Sequence, residues 1–383
     1  MSGDSAPEIG VGILGYEGVA KAHLQALVRV TTVFWPPRVR PVLVAVAGRS
    51  AERVDVAARR YGAHAAYTDW RRLIAHPKVQ VLINAGPNDV HAEVSIAAAE
   101  RGLHVLCEKP LARDAAEAAQ MRDAVVSAKV VHMAGYNYRF VPAVLLARRL
   151  IAEGRLGRIY HFRTRYCDDS MVDAHVPYGW RHSKARAGSG VIGDLAAHAV
   201  DLARFLVGEI EAISACSRIF IDRRPRQDGS MGTVDVEDAL EAILEFEGGG
   251  VGTLEASTFC PGRKNLFTFE VNGEHGSLAW SLERLNELEV YLPDDGANGF
   301  RTVLATDPSH PYGGMWWPPG HILGWEHTFV HQLERFLRAV ADEGTVAPEG
   351  ATFDDGVRCA VICDLVDRAA REGRRVEATG TWV

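Results

Sequence analysis

Ile9-Gly10-Val11-Gly12-Ile13-Leu14-Gly15-Tyr16-Glu17-Gly18-Val19-Ala20 reads as a short apolar strand, a glycine turn and the start of a helix. Residues 9–14 carry no charge, which suits a strand covered on both faces, and 19–30 follow with helical spacing. The same alternation runs on for more than a hundred residues. Strands are expected over 42–47, 79–85, 103–107 and 130–134, with helices over 51–61, 90–101 and 115–127 between them. Apolar strands alternating with helices predict a parallel, doubly wound α/β sheet, in which ligands sit beyond the carboxyl ends of the strands. Gly15, the pair Pro87-Asn88 and Lys109 all fall at such ends, so their loops are expected to line one crevice.

Composition narrows the partners. A chain of 383 residues is long enough for two domains, each with its own core, and 47% hydrophobic with 24% charged residues is ordinary for a globular protein. A net charge of -7 argues against nucleic acid, whose phosphates call for clustered positive charge. No apolar run approaches the roughly 20 residues that span a bilayer, so no membrane partner is expected. Residues 1–8 are small and polar, without the basic-then-apolar order of a secretory leader, and a cytoplasmic location is expected. The six cysteines (107, 167, 216, 260, 359 and 363) are dispersed. Cys359 and Cys363 could meet on a helix face, but no His or Cys cluster accompanies them, so reduced thiols and no metal are expected.

The first turn raises the question of phosphate binding. A dinucleotide fingerprint reads G-x-G-x-x-G/A, and the frame Gly15 to Ala20 fits it at its first and third marked positions, with Glu17 at the second. A carboxylate held about 4 Å from a phosphate would cost roughly 4 kcal/mol at an effective dielectric near 20, on the order of a thousandfold in affinity. Glu17 is therefore expected to swing into solvent, with Gly18 giving the flexibility. The second strand ends Ala47-Gly48-Arg49-Ser50, without the acid that would grip an adenosine ribose. Arg49 and Ser50 could meet a 2′-phosphate, which leans toward NADP; alternatively Arg49 stacks on adenine or faces water.

Two further runs carry groups suited to alcohol oxidation. Glu108-Lys109-Pro110 follows the strand His104-Val105-Leu106-Cys107, and Gly193-Asp194-Leu195-Ala196-Ala197-His198 opens a helix after Gly188-Ser189-Gly190. Four residues apart on a helix, Asp194 and His198 share one face, and Asp194 could also cap it. A departing hydroxyl proton needs a base, and the growing alkoxide needs a cation nearby. Lys109 and His198 are of those two types, and His23 is expected to be structural.

Beyond Pro142 the texture becomes β-rich, with strands expected over 158–166, 213–221, 239–247, 250–259, 267–272 and 288–292. Several alternate polar and apolar residues, as in an antiparallel sheet with one open face. Residues 222–234 and 294–312 read as polar loops, and 354–371 as a closing helix packed back on the first domain. Between 308 and 327 lie His310, Tyr312, Trp316, Trp317, His321, Trp325 and His327. Flat aromatic faces suit pyranose rings and imidazoles suit hydroxyls, although such a segment also suits a plug at an interface.

Five motifs in order make the chain similar to the Gfo/Idh/MocA oxidoreductases over about residues 9–378: the glycine turn with His23, Pro87-Asn88 with His91, Glu108-Lys109-Pro110, Asn137 and Arg139 before Pro142, and Asp194 with His198 after Trp180-Arg181. Phe34-Trp35-Pro36-Pro37, Lys184-Ala185 and the stretch from Trp317 to Phe329 further resemble the branch of levoglucosan and glycoside 3-dehydrogenases, which generally uses NAD. The resemblance implies a Rossmann domain over 1–140 and, over 141–383, an α+β domain with an open, mainly antiparallel sheet that binds substrate and often mediates homo-oligomerisation. It implies catalysis by Lys109, Asp194 and His198. Cofactor contacts are implied at Gly15, Tyr16, Glu17, Gly18, Val19, Ala20, Gly48, Arg49, Ser50, Pro87, Asn88, His91, Glu108, Lys109, Asn137, Trp180 and Arg181. Sugar contacts are implied at Lys109, Tyr138, Arg181, Asp194, His198, Trp325 and His327. The implied reaction moves a hydride between NAD (or NADP) and a secondary ring hydroxyl, C3 above all, of a pyranose or glycoside. An inositol as substrate, or a non-catalytic nucleotide-binding protein, are the alternatives.

Overall fold

The structure, a computed structural model, describes residues 6–293, 296 and 298–378. They form two compact units, the first made of 6–112, 116–140 and 324–357 and the second of 113–115, 141–323 and 358–378.

The first unit is built on the expected parallel sheet. Strands β1 (Glu8–Leu14), β2 (Arg40–Ala47), β3 (Ala65–Tyr67), β4 (Val81–Asn84), β5 (His104–Glu108) and β6 (His132–Gly135) lie in the order β3-β2-β1-β4-β5-β6, every neighbouring pair parallel. The order reverses beside β1, which places the glycine turn at the switch point where such sheets bind ligands. Helices α1 (Val19–Val33), α2 (Ala51–Tyr61), α3 (Trp70–Ile74), α4 (His91–Glu100) and α5 (Ala115–Ser127) connect the strands. Val11, Ile13, Val46, Leu82, Ile83, Val105 and Leu106 are fully buried, as strands covered on both faces must be. Two elements escaped the sequence pattern. β3 is three residues long, all half-buried, and α3 is five residues long, both too short to show a period. The expected helix 90–101 is present as α4, preceded by a 3₁₀ turn over Asn88–Val90.

The second unit starts with α6 (Pro142–Ala152), whose first residue is the proline that a helix tolerates at that place. β7 (Ile159–Cys167) follows, then α7 (Lys184–Ala187), a π-turn over Ile192–Ala196, and α8 (Ala197–Leu206). Then come β8 (Ile210–Arg218), β9 (Arg223–Pro225), β10 (Met231–Thr233), β11 (Ala239–Phe246), β12 (Val251–Ser257), β13 (Leu266–Gly273), β14 (Gly276–Ser281), β15 (Glu287–Tyr291), β16 (Arg301–Leu304) and the short β17 (Val376–Glu377). Nine of these form one sheet, ordered β16-β15-β14-β13-β7-β12-β11-β8-β17. It is mixed: β7 and β12 are parallel and its other pairs are antiparallel. Along β11, Leu240, Ala242, Leu244 and Phe246 are buried while Glu241 and Ile243 are exposed, so one face packs and the other is open.

Both expected loops contain strands. Within 222–234, β9 and β10 pair as a hairpin, and Arg224, fully buried, donates to the carbonyls of Met171 and Asp173. A hairpin of three-residue strands around Arg-Gln-Asp-Gly is too polar to signal itself. β16 lies inside 294–312, of which 294, 295 and 297 fall outside the described residues.

α9 (His327–Ala341) belongs to the first unit and packs along α1, where the His23 ring meets Phe329 edge-on at 5.0 Å. α10 (Phe353–Glu372) starts in the first unit, where Asp355 pairs with Arg139 and the Phe353 amide donates to His132 Nδ1. From Arg358 it runs within the second, where Arg358 pairs with Glu209 and Cys363 Sγ lies 3.8 Å from the Ile192 carbonyl. All six cysteines are free. Among the described residues no helix is long and apolar enough to cross a membrane.

Candidate active site

The turn after β1 is shaped by missing side chains. Gly15 has φ +110°, and a Cβ there would lie 2.7 Å from the Ala85 carbonyl oxygen and 3.0 Å from Ala20 Cβ. Its amide donates to the Ala47 carbonyl, joining the ends of β1 and β2. Gly18, at φ +55°, opens α1, and no side chain caps that helix. The Ala20 and Lys21 amides turn back onto the Glu17 and Gly18 carbonyls at 3.1 Å, which leaves the Gly18–Val19 edge of the turn to face a ligand, as in helix termini that hold phosphate. Open space where a Cβ on Gly18 would stand, with nothing within 4 Å, fits close approach of a ligand. Glu17 points away into solvent, 66% exposed, with its carboxylate 3.3 Å from Arg53 Nη1. The electrostatic penalty feared from the sequence therefore has no geometric basis in this turn.

Around the end of β2 the structure revises two expectations. Gly48 does not leave open space, because the Tyr16 ring lies where its Cβ would be, 2.2 Å away. Ser50 caps α2, its Oγ accepting from the Arg53 amide at 3.4 Å, so that hydroxyl already has a structural task. Arg49 is exposed.

The ends of β4 and β5 are wired by buried polar groups. Asn84, fully buried, donates to Ser95 Oγ and the His91 carbonyl and accepts from the Gly86 amide. His91 is 1% exposed, with Nδ1 at 2.9 Å from the Pro110 carbonyl and Nε2 at 3.0 Å from that of Gly86. Burial holds its pKa below the usual imidazole range, against the pull of those carbonyls and of Glu108. This ring joins two loops through their backbones; its nitrogens do not face outward toward a ligand. Glu108 is likewise turned inward. One oxygen lies 2.7 Å from His23 Nε2, and the other accepts the Lys109 amide at 3.2 Å. Gly135 makes room, since a Cβ there would come within 2.8 Å of that carboxylate. Lys109, half-buried, is thereby held at the strand end, ahead of a cis Pro110. Asn88, Asn137 and Tyr138 are buried, and Asn137 donates to Thr328 Oγ1 at 2.9 Å. Beside Thr328, Trp325 stands edge-on to Phe329 at 4.7 Å, and His327 Nδ1 accepts the Gly324 amide. Burial lowers the His327 pKa.

In the second unit the helix carrying Asp194 and His198 does not begin as a regular α-helix. Ile192–Ala196 form a π-turn, a feature frequent at functional sites, and the N-cap positions are Val191 and Ala196, with Asp194 inside the turn. Glu237 clasps its start: the amides of Gly190 and Ile192 donate to Glu237 Oε1 at 2.8 and 2.9 Å, and the Val191 amide to the Glu237 carbonyl. A Cβ on Gly190 would lie 2.0 Å from that carbonyl oxygen. Asp194 is 44% exposed, 3.7 Å from Arg181 Nε, and the Arg181 guanidinium lies 4.3 Å over the Trp180 ring. His198 is 5% exposed among aromatics, 6.0 Å from the Tyr166 ring and 6.4 Å from Phe267. Asp168, just past β7, carries a pKa raised by burial and by the charge of Asp194. An imidazole against apolar rings and a carboxylate steadied by guanidinium are groups able to move a proton and to hold hydroxyls. Sequence reasoning missed Asp168 and Glu237. The first stands at a strand end, which is a legible signal, whereas Glu237 lies 45 residues from Ile192 with none.

Both halves of the chain match known families. Residues 9–136 match the oxidoreductase family with an NAD-binding Rossmann fold, and 144–279 the GFO/IDH/MocA C-terminal domain. Levoglucosan dehydrogenase of Pseudarthrobacter phenanthrenivorans is 41% identical over 381 residues, 95% of this chain and 97% of that protein. The 1,5-anhydro-D-fructose reductase of Ensifer adhaerens is 30% identical over 77% of this chain and 85% of its own. Among solved structures, levoglucosan dehydrogenase in complex with NADH and levoglucosan superposes with a TM-score of 0.93, covering 97% of this chain and all of that one.

Proposed function

The chain belongs to the Gfo/Idh/MocA oxidoreductase family, and on that premise we propose that it is an NAD-dependent sugar dehydrogenase acting on a secondary ring hydroxyl, that at C3, of a pyranose or glycoside. The observation that carries this reading is the end-to-end similarity to levoglucosan dehydrogenase, at 41% identity. NAD, when bound, supplies the hydride acceptor. The glycine turn and the start of α1, Gly15, Gly18 and Val19 among their residues, would hold its phosphates. Lys109 hydrogen-bonds the reacting hydroxyl and offsets alkoxide charge, His198 takes its proton, and Asp194, steadied by Arg181, holds a neighbouring hydroxyl. His91, Glu108 and His23 act beneath the lysine, fixing the backbone from which it projects.

A panel of glucosides, anhydrosugars and inositols tests this, followed by reduced-nicotinamide absorbance at alkaline pH with NAD and NADP in parallel. Oxidation of pyranoses with NAD is expected. Activity on inositols alone would replace the substrate, and activity confined to acyclic alcohols would overturn the reading.

A further inference from the structure

On the open face of the nine-stranded sheet, two thiols and a carboxylate meet. Cys167 closes β7, Glu255 lies on β12 and Cys260 follows β12 in the turn. Their sulfur and oxygen atoms all lie within 4.8 Å of one another, and Cys167 Sγ is 3.3 Å from Glu255 Oε1. Cys167 is the register neighbour of Ser257, and Arg165 that of Glu255, which puts this cluster on the face opposite Tyr166 and hence opposite His198. It is separate from the groups assigned to catalysis.

We propose that Cys167, Cys260 and Glu255 bind a thiolate-preferring divalent metal ion of the Zn²⁺ class. Three arguments converge. Tetrahedral zinc with sulfur bonds of about 2.3 Å and oxygen bonds near 2.0 Å separates its donor atoms by roughly 3.3–3.8 Å, a spacing this cluster reaches with small rotations. Two thiols with one carboxylate select against Mg²⁺ and Ca²⁺, which take all-oxygen cages. One flank of the carboxylate favours a cation: Glu241 stands directly across from Glu255 on β11, and like charges so placed repel. Arg165, on the other flank of Glu255, is exposed, and no ion pair joins the two.

The donors are also held in place beforehand. The Asp168 amide donates to the Ser257 carbonyl, the Cys260 amide to that of Asp168, and the Met171 amide to that of Thr258. Lys264 and the Gly262 amide both reach Asp169. Binding replaces two S–H bonds with two metal–sulfur bonds, both protons leaving to the buffer, and ionised Glu255 supplies the third ligand. Water fills the fourth position. The ion would tie the end of β7 to the turn after β12.

Cobalt titration of the reduced full-length protein tests this. The expected result is a near-ultraviolet sulfur-to-cobalt band with intense visible bands, saturating at one equivalent and displaced by zinc. Cys167→Ser and Cys260→Ser abolish it, Glu255→Gln weakens binding by about tenfold or more, and the exposed Cys216→Ser leaves it intact. Zinc raises the Tm of the parent protein and not of the Cys variants, whose circular dichroism reports whether they fold. No band, or a band that survives Cys167→Ser, overturns the proposal. So does a Cys167–Cys260 disulfide formed in air by a protein that, once reduced, takes up no metal.

Discussion

The glycine turn after β1 and the π-turn before α8 both present a helix start at the edge of a sheet, yet they are held in opposite ways. The first keeps its shape by lacking side chains: Gly15 could not carry a Cβ without meeting the Ala85 carbonyl and the Ala20 methyl, and only its backbone amide is held, by the Ala47 carbonyl. The second keeps its shape by a side chain that arrives from far away, the Glu237 carboxylate accepting two amides from the Gly190–Ile192 segment. The need for room is written in the sequence as a glycine, whereas a buried acceptor that arrives from elsewhere leaves no such mark. A turn of the first kind tolerates changes around it, provided no atom is added. One of the second kind fails when a single remote group is removed.

The largest expected effect tests whether either turn serves chemistry at all. Lys109→Ala should lower turnover by more than about a hundredfold while leaving Tm near that of the parent, because the ammonium is asked to offset charge that develops during reaction. Steady-state kinetics beside thermal unfolding decide this. Turnover within a few-fold of the parent would detach both turns from the proposed reaction.

Next in size is the clasp. Glu237→Ala leaves the Gly190 and Ile192 amides facing no acceptor and should destabilise the protein by about 2 kcal/mol, with sugar kcat/KM falling and NAD affinity held. Glu237→Gln keeps an acceptor oxygen and should restore most of that loss. The pH dependence separates these two variants from the parent. Burial raises the Glu237 pKa above the usual carboxylate range, so the folded parent binds its proton more tightly than the unfolded chain. Its stability therefore falls as pH rises through that raised range, and the glutamine variant lacks this fall. Denaturant melts across pH, with NADH fluorescence titration, check both points. Equal loss of NAD and sugar affinity in Glu237→Ala would end the contrast between the turns.

What the sequence made legible follows the same division. The first sheet was readable because its strands are unbroken apolar runs, while Lys109 and His198 were singled out by residue type alone and are found at the end of β5 and on α8. β3 and α3 were not, being too short to show a period. The spacing of Asp194 and His198 identified a helix but could not tell an α-turn from a π-turn, since both bring such residues near one side. His91 and Glu108 were read as facing a ligand, and they turn inward to carbonyls and to His23. Backbone acceptors leave no trace in a sequence. The Tyr16 ring above Gly48 is a similar case, because a glycine marks space without saying what fills it.

The smallest effect is the most discriminating for the first turn. Glu17 stands where the dinucleotide fingerprint has glycine, and read from sequence alone it threatened on the order of a thousandfold in affinity. In the structure its carboxylate is exposed and lies beside Arg53, itself 65% exposed, and an ion pair of that kind contributes little. Glu17→Gly should therefore change the NAD dissociation constant by less than about threefold, and Glu17→Gln by no more, in calorimetric titration at low and at physiological salt. Arg53→Ala is the sharper companion. It removes the cation that draws Glu17 outward, so any loss of NAD affinity in Arg53→Ala that Glu17→Gly cancels would mean that the carboxylate reaches the phosphates once released. Tightening of tenfold or more in Glu17→Gly alone would show that it already does, and the turn would then be held by charge as well as by absent side chains.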